Sequence, residues 1–202
     1  MTIHSGFALQ GYTLVLASTS PFRKNLLTRL GLPFETIAPQ VDETPLVGET
    51  PLALVTRLSI LKAQAVQTVY PRGLIIGSDQ VAIIDGEIVG KPHTHENAVQ
   101  QLSRASGNTV SFLTGLCLLN SVTGLYQVEV IPFKVVFRPL TATQIENYLR
   151  LEQPYNCAGS FRSESLGIAL MEAMQGDDPN ALVGLPLMRL IRLLENEGVC
   201  LI

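Results

Sequence analysis

Leu74, Ile75 and Ile76 form an unbroken apolar run that ends at Gly77 and Ser78 and gives way to a carboxylate, Asp79. Such a run reads as a strand covered on both faces, which points to a sheet with layers on either side. In open α/β sheets, ligands bind in the crevice beyond the carboxyl ends of the strands, so Asp79 stands where a functional charge belongs. Downstream, Val81 to Ile84, Asp85-Gly86 and Glu87 to Val89 read as a hairpin, since both central residues of the turn need positive φ. A two-residue turn sets Ile84 against Glu87, Ile83 against Ile88 and Gln80 against Lys91. That register brings Lys91 beside Asp79, with a bulge near Gly77 or Gly90. A plain surface hairpin with an incidental ion pair is the other reading of the same residues.

The chain of 202 residues fits a single domain over residues 12–202 behind a short N-terminal extension, residues 1–11. Hydrophobic residues make up 47% of it, yet no apolar run approaches the roughly 18 residues that span a bilayer. No membrane association is therefore expected, and the absence of a secretory signal points to the cytoplasm. Cys117, Cys157 and Cys200 are far apart and form no CxxC pair, which reads as reduced, mostly buried thiols. The net charge of −3 argues against a nucleic-acid polymer as partner, but it suits a small anion held by a few placed cations.

Taken in order, Thr13 to Ala17 reads as a buried strand that runs into Ser18-Thr19-Ser20-Pro21-Phe22-Arg23. Ser20 suits an N-cap and Pro21 the first helical position, with the helix stopping at Gly31. The outward N–H groups at such a helix start suit phosphate, and Arg23 adds a fixed charge; simple capping explains Ser20 and Pro21 as well. Phe34 to Ala38 reads as a second strand. Asp42 and Glu43 then form an acidic pair in a stiff loop, suited either to a hard divalent cation or to a solvated turn. Thr50 caps a helix whose apolar face is Leu54, Val55, Leu58, Leu61, Ala65 and Val66; Lys62, at the edge of that stripe, either snorkels or serves a site. Thr94 caps a helix ended by Gly107, and His93 and His95 before it read as surface polar groups. Strands follow at Val110 to Leu119 and Tyr126 to Phe137, then a capping box at Thr141 and Gln144. Tyr155 to Gly167, with Arg162 and Glu164, reads as a binding loop or a close crossing. A polar turn at Gly176 to Asn180 precedes a last helix over Val183 to Leu194.

Together, S-x-S-P-x-R at Ser18 to Arg23, V-D-E at Val41 to Glu43, Lys62, G-S-D-Q at Gly77 to Gln80, G-K-P at Gly90 to Pro92 and V-G-L-P at Val183 to Pro186 resemble the Maf family of nucleotide pyrophosphatases. The likeness runs from about Thr13 to the C-terminus. It implies an elongated mixed β-sheet flanked by helices, Maf/ITPase-like, with the active-site cleft between two lobes, often as a homodimer. It also implies a hydrolase dependent on a divalent metal, Mg²⁺ or Mn²⁺, that cuts a nucleoside triphosphate to monophosphate and pyrophosphate. The residue types suit that chemistry, which needs an activated water, a metal and cations around the leaving pyrophosphate. Asp79 serves as proton acceptor or metal ligand, and both roles stay open. Glu43 serves as metal ligand, and Arg23, Lys62 and Lys91 as phosphate clamps, with Ser18 and Ser20 on phosphate oxygens.

Within the family the chain is similar to the YceF subgroup, which implies 7-methyl-GTP as substrate, with Phe22, Gln80 and Glu164 setting base specificity. Methylation makes the guanine ring cationic, so a ring face at Phe22 and a carboxylate at Glu164 are fitting partners. One subgroup member carries tryptophan where this chain has Phe22, and phenylalanine is the weaker cation–π partner. The competing expectations are a pyrophosphatase for dTTP, UTP or a broader set of nucleotides, and a non-catalytic nucleotide-binding regulator of cell division.

Overall fold

A computed structural model describes residues 9–202; residues 1–8, most of the expected N-terminal extension, lie outside the described residues. The elements are β1 (Thr13–Ala17), α1 (Pro21–Thr28), β2 (Phe34–Ile37), α2 (Pro51–Gln64), β3 (Gly73–Ile84), β4 (Glu87–Val89) and α3 (His95–Ala105). There follow β5 (Thr109–Asn120), β6 (Tyr126–Phe137), α4 (Ala142–Glu152), β7 (Met171–Gln175), α5 (Pro179–Val183) and α6 (Leu187–Asn196). One seven-stranded sheet runs β2-β1-β3-β5-β6-β7, with β4 added against the far end of β3. β1 lies parallel to β2 and β3, whereas β3, β5, β6 and β7 alternate antiparallel. This is the mixed α/β sheet that the apolar runs and the family resemblance imply. Among the described residues no helix is long and apolar enough to cross a membrane.

Local capping chemistry sets the helix starts. The Ser20, Thr50, Thr94 and Thr141 hydroxyls accept from the backbone N–H three residues on, opening α1, α2, α3 and α4 as the sequence requires, and Gln144 completes the capping box. Strand alternation then divides the core. Val15, Ala17 and Ile75 face α2, packed with Ala63 and Val66. Leu14, Leu16, Leu74 and Ile76 face the other way, into a cluster built with α1, α5 and α6. Farther along that second face, Ala82, Ile84, Phe112 and Phe133 meet α3 and α4 in a separate cluster. One helix therefore backs the sheet, and two helical groups sit in front of it.

Five expectations are corrected. β3 is a single strand of 12 residues, not a short run followed by a hairpin arm. Its pairing with β4 covers only Ala82↔Val89, Ile83↔Ile88 and Ile84↔Glu87, so Lys91 lies beyond the ladder and Asp79 pairs with Gly115 of β5 instead. The register through Gly77 and Asp79 is unbroken, because a central strand has a neighbour to satisfy those groups, whereas Pro92 has no N–H to extend β4. The last helix is two helices. Gly184, at φ 107°, ends α5, and Pro186 bars Leu185 from helical geometry before α6 starts. Of the thiols, only Cys117 is buried; Cys157 is half-buried and Cys200 exposed, all three free. On α2, Leu61 and Ala65 are exposed, so the apolar face is narrower than the sequence suggests. At the N-terminal edge of the described chain, Leu9 packs into the core, and Arg72 Nε donates to the Gly11 carbonyl at 3.0 Å.

α2 crosses β3 and β5 at two glycines. A Cβ added at Gly77 would overlap the Ser59 carbonyl oxygen, and one at Gly115 the Val55 carbonyl oxygen. Only hydrogen at both positions lets the helix lie on the sheet. Gly77→Ala is therefore expected to lift α2, costing about 1–3 kcal/mol of stability and displacing Lys62. Urea unfolding midpoints would check the first effect, and turnover in the folded fraction the second.

Candidate active site

In β3 each residue of Gly77-Ser78-Asp79-Gln80 is aimed by strand alternation. Gly77 and Asp79 point to α2, and Ser78 and Gln80 to α5. On the α2 side, Lys62 Nζ donates to Asp79 Oδ1 at 2.6 Å and lies 2.8 Å from Glu43 Oε1. Lys62 does not snorkel: it is 5% exposed, and Asp79 is 8% exposed. An ammonium at that depth costs several kcal/mol of hydration, and two carboxylates offset it. Glu43 reaches in from the loop before α2 with its side chain 56% exposed. Partial burial pushes its carboxyl up, but the Lys62 hydrogen bond and the charges of Lys62, Lys91 and Arg23 hold it below the usual range. Asp42 turns away, accepting from the Thr44 N–H at 2.9 Å, so the acidic pair is split and only Glu43 joins Asp79.

The opposite side of β3 is held by the segment between α5 and α6. Ser78 Oγ donates to the Gly184 carbonyl at 2.9 Å, and Arg23 Nε donates to the same oxygen at 2.8 Å. Arg23 is half-buried; burial pulls its guanidinium below the ordinary arginine value, against the opposing pull of Asp79 and Glu43. Gln80 Nε2 donates to Thr114 Oγ1 at 3.0 Å, Ala181 O at 2.7 Å and Leu182 O at 3.2 Å. Its amide nitrogen thus secures α5, and the amide oxygen is what it has left to present. Ser18 Oγ accepts the Ser20 N–H at 3.1 Å and Ser20 Oγ the Arg23 N–H at 3.4 Å, so each hydroxyl keeps its own proton to donate.

Glu43, Lys62 and Asp79 thus share one point, and Arg23 acts on both carboxylates. Lys91 is exposed beyond β4, and its charge acts on Glu43 and Cys157. Phe22 and Glu164 meet through Arg162, whose Cζ lies 5.0 Å from the Phe22 ring centroid and whose Nε lies 3.3 Å from Glu164 Oε1. His95 bridges Tyr155 and Glu146 away from this set. Two surface grooves, along the outer face of α2 and between α3 and α4, include no residue of the Glu43–Lys62–Asp79 trio.

Sequence reasoning missed what holds the Glu43 loop. Arg57 Nε and Nη2 donate to both oxygens of Glu49, at 2.6 and 2.7 Å, and Nη2 also reaches the Thr44 carbonyl at 3.2 Å. Nothing in an eight-residue spacing across a helix start signals that pair. Thr114, whose hydroxyl joins Gln80 to the Ala181 carbonyl, was missed because its partners lie 34 and 67 residues away in the chain.

The donor set fits a hard divalent cation. Glu43 and Asp79 converge on a single positive centre, Lys62 Nζ, so two hard oxygens already converge on a cation. Among the described residues no cluster of three or more His, Cys, Asp or Glu could hold a metal. Two carboxylates, completed by water and phosphate oxygens, are the coordination that magnesium commonly takes.

The family profile described as Maf-like protein matches residues 13–197. A protein of Nitrosococcus oceani named 7-methyl-GTP pyrophosphatase is 62% identical over 186 residues, covering 92% of this chain and 94% of its own length. Proteins of the same name from Pseudomonas savastanoi pv. phaseolicola and Pseudomonas aeruginosa are each 54% identical, over 187 and 186 residues. They cover 93% and 92% of this chain and 97% of their own lengths. The solved structure of the Staphylococcus aureus Ham1 protein matches 62% of this chain and 71% of its own at TM-score 0.44 and 17% identity, too partial a likeness to bear on the site.

The Arg57 hydrogen bond holds the Glu49 carboxyl at about 2, against an ordinary 4.5. A carboxyl whose value is depressed on folding stabilises fully above its unfolded value and loses that contribution as pH falls through the folded one. Glu49→Gln is therefore expected to unfold more easily than the native chain at pH 6, with the two curves merging near pH 2. Urea midpoints across that range check it.

Proposed function

The chain belongs to the Maf family, and on that premise we propose that it hydrolyses 7-methyl-GTP to 7-methyl-GMP and pyrophosphate. The observation that carries the reading is the Lys62 ammonium shared by Glu43 and Asp79, beside Arg23 at the start of α1. The substrate follows from the name borne by three relatives at 54–62% identity.

Water attacks the α-phosphorus, the bond from that phosphorus to the bridging oxygen breaks, and pyrophosphate leaves. Asp79 takes the proton of the water. Lys62 orients the Asp79 carboxylate by its hydrogen bond and, with Arg23 and Lys91, offsets the charge of the phosphates. Ser18 and Ser20 donate their hydroxyl protons to phosphate oxygens. Glu43 and Asp79 would hold a magnesium or manganese ion, which when bound draws electron density from the phosphate and neutralises the polyanion. Phe22 carries the cationic base on its ring face, with Glu164 and the free amide oxygen of Gln80 at the base edge. The substrate is a free nucleotide, and the three unpaired thiols suit the cytoplasm.

Incubation with 7-methyl-GTP and Mg²⁺ is expected to release 7-methyl-GMP and pyrophosphate in equal amounts, read by mass spectrometry. Orthophosphate in place of pyrophosphate, or equal rates on GTP, dTTP and UTP, would overturn the assignment. Asp79→Asn should lower turnover by about 100- to 10,000-fold while nucleotide still binds. A binding regulator without catalysis would show no turnover to lose.

A further inference from the structure

Phe22, the ring on which the base is read, is already covered. The Arg162 guanidinium carbon lies 5.0 Å from the ring centroid. Three further contacts hold Arg162 in that place. Its Nη1 lies 2.8 Å from Glu152 Oε1, its Nε lies 3.3 Å from Glu164 Oε1, and its backbone N–H donates to the Tyr148 hydroxyl at 3.1 Å. The contact also crosses the front of the sheet. Phe22 belongs to α1, in the group with α5 and α6, whereas Arg162 follows α4 and stands beside Phe161 in the other cluster. A single guanidinium thus covers the aromatic platform, neutralises Glu164 and bridges the two helical groups.

Resting on the 7-methyl-GTP reading, we propose that Arg162 is a built-in competitor for the base site. It stands on Phe22 and swings off when a base stacks there. The guanidinium and a methylated guanine share the chemistry that matters: both are flat, cationic and edged with N–H donors, so both suit a ring face and a carboxylate. Glu152 is the pivot. Its side chain is 10% exposed and its second oxygen accepts the Leu166 N–H at 2.9 Å, so it stays in place and keeps Arg162 paired when Phe22 and Glu164 are taken over.

A competitor that belongs to the chain reduces apparent affinity by the fraction of molecules with the site open. It weighs on every base alike, so it sets how tightly nucleotides bind without setting which is preferred. Discrimination between 7-methyl-GTP and GTP then stays with Phe22, Gln80 and Glu164.

The test is steady-state kinetics of Arg162→Met on 7-methyl-GTP and GTP. Removing the competitor is expected to lower KM for both by about tenfold, at an unchanged ratio of their kcat/KM values. Structural damage would raise KM, so a fall is the diagnostic sign. Because Arg162→Met leaves Glu152 without its cation, the double variant R162M/E152Q is measured beside it and should show the same fall. If KM rises or stays constant in both variants, Arg162 touches the substrate or is idle, and the proposal fails. A native chain that does not hydrolyse 7-methyl-GTP would instead sink the substrate reading on which the proposal rests.

Discussion

The buried ammonium of Lys62 fixes the geometry on which the rest of the site depends. An unpaired charge at that depth is untenable, so Lys62 commits two other segments: the exit of the central strand through Asp79, and the loop before α2 through Glu43. That commitment is affordable only because α2 lies almost on the sheet, over Gly77 and Gly115, so the lysine stem reaches Asp79 along a short path. The two glycines and the lysine are one arrangement. The glycines set the distance, and the ion pairs fix what is brought across it.

On the other side of the strand the same four-residue stretch does a different task. Ser78 and Gln80 anchor the backbone around Ala181, Leu182 and Gly184, and the Gly184 carbonyl in turn fixes Arg23 at the start of α1. Alternation thus lets one strand hold the charged trio behind it and the first and last helical segments in front. Arg57 completes the frame from outside by binding Glu49 with two hydrogen bonds, which confines the loop that carries Glu43.

Features governed by neighbours in sequence are legible in the chain itself. The apolar runs of β1 and β3, the four hydroxyl caps and the Asp85-Gly86 turn follow from local rules, and the elements stand where those rules place them. What was not legible depends on partners far away in the chain. Asp79 faces Gly115 across the ladder, so the neighbour of a central strand, not hairpin geometry, decides where that carboxylate points. The hairpin stops three pairs after its turn, so its register does not reach Lys91. The break at Pro186 could have been read from the proline itself, but the apolar spacing on both sides concealed it. Among the candidate residues, Glu43, Lys62 and Asp79 meet directly, while Phe22 and Glu164 meet only through Arg162, whose place no spacing announces.

The shared carbonyl of Gly184 also has a bearing on biosynthesis. Arg23 leaves the ribosome 161 residues before the group that positions it. A nascent chain can assemble β1, α1 and much of the sheet while Arg23 still lacks this anchor. The arrangement around Arg23 is therefore complete only once residue 184 has been made, and fragments ending before it would lack this anchor.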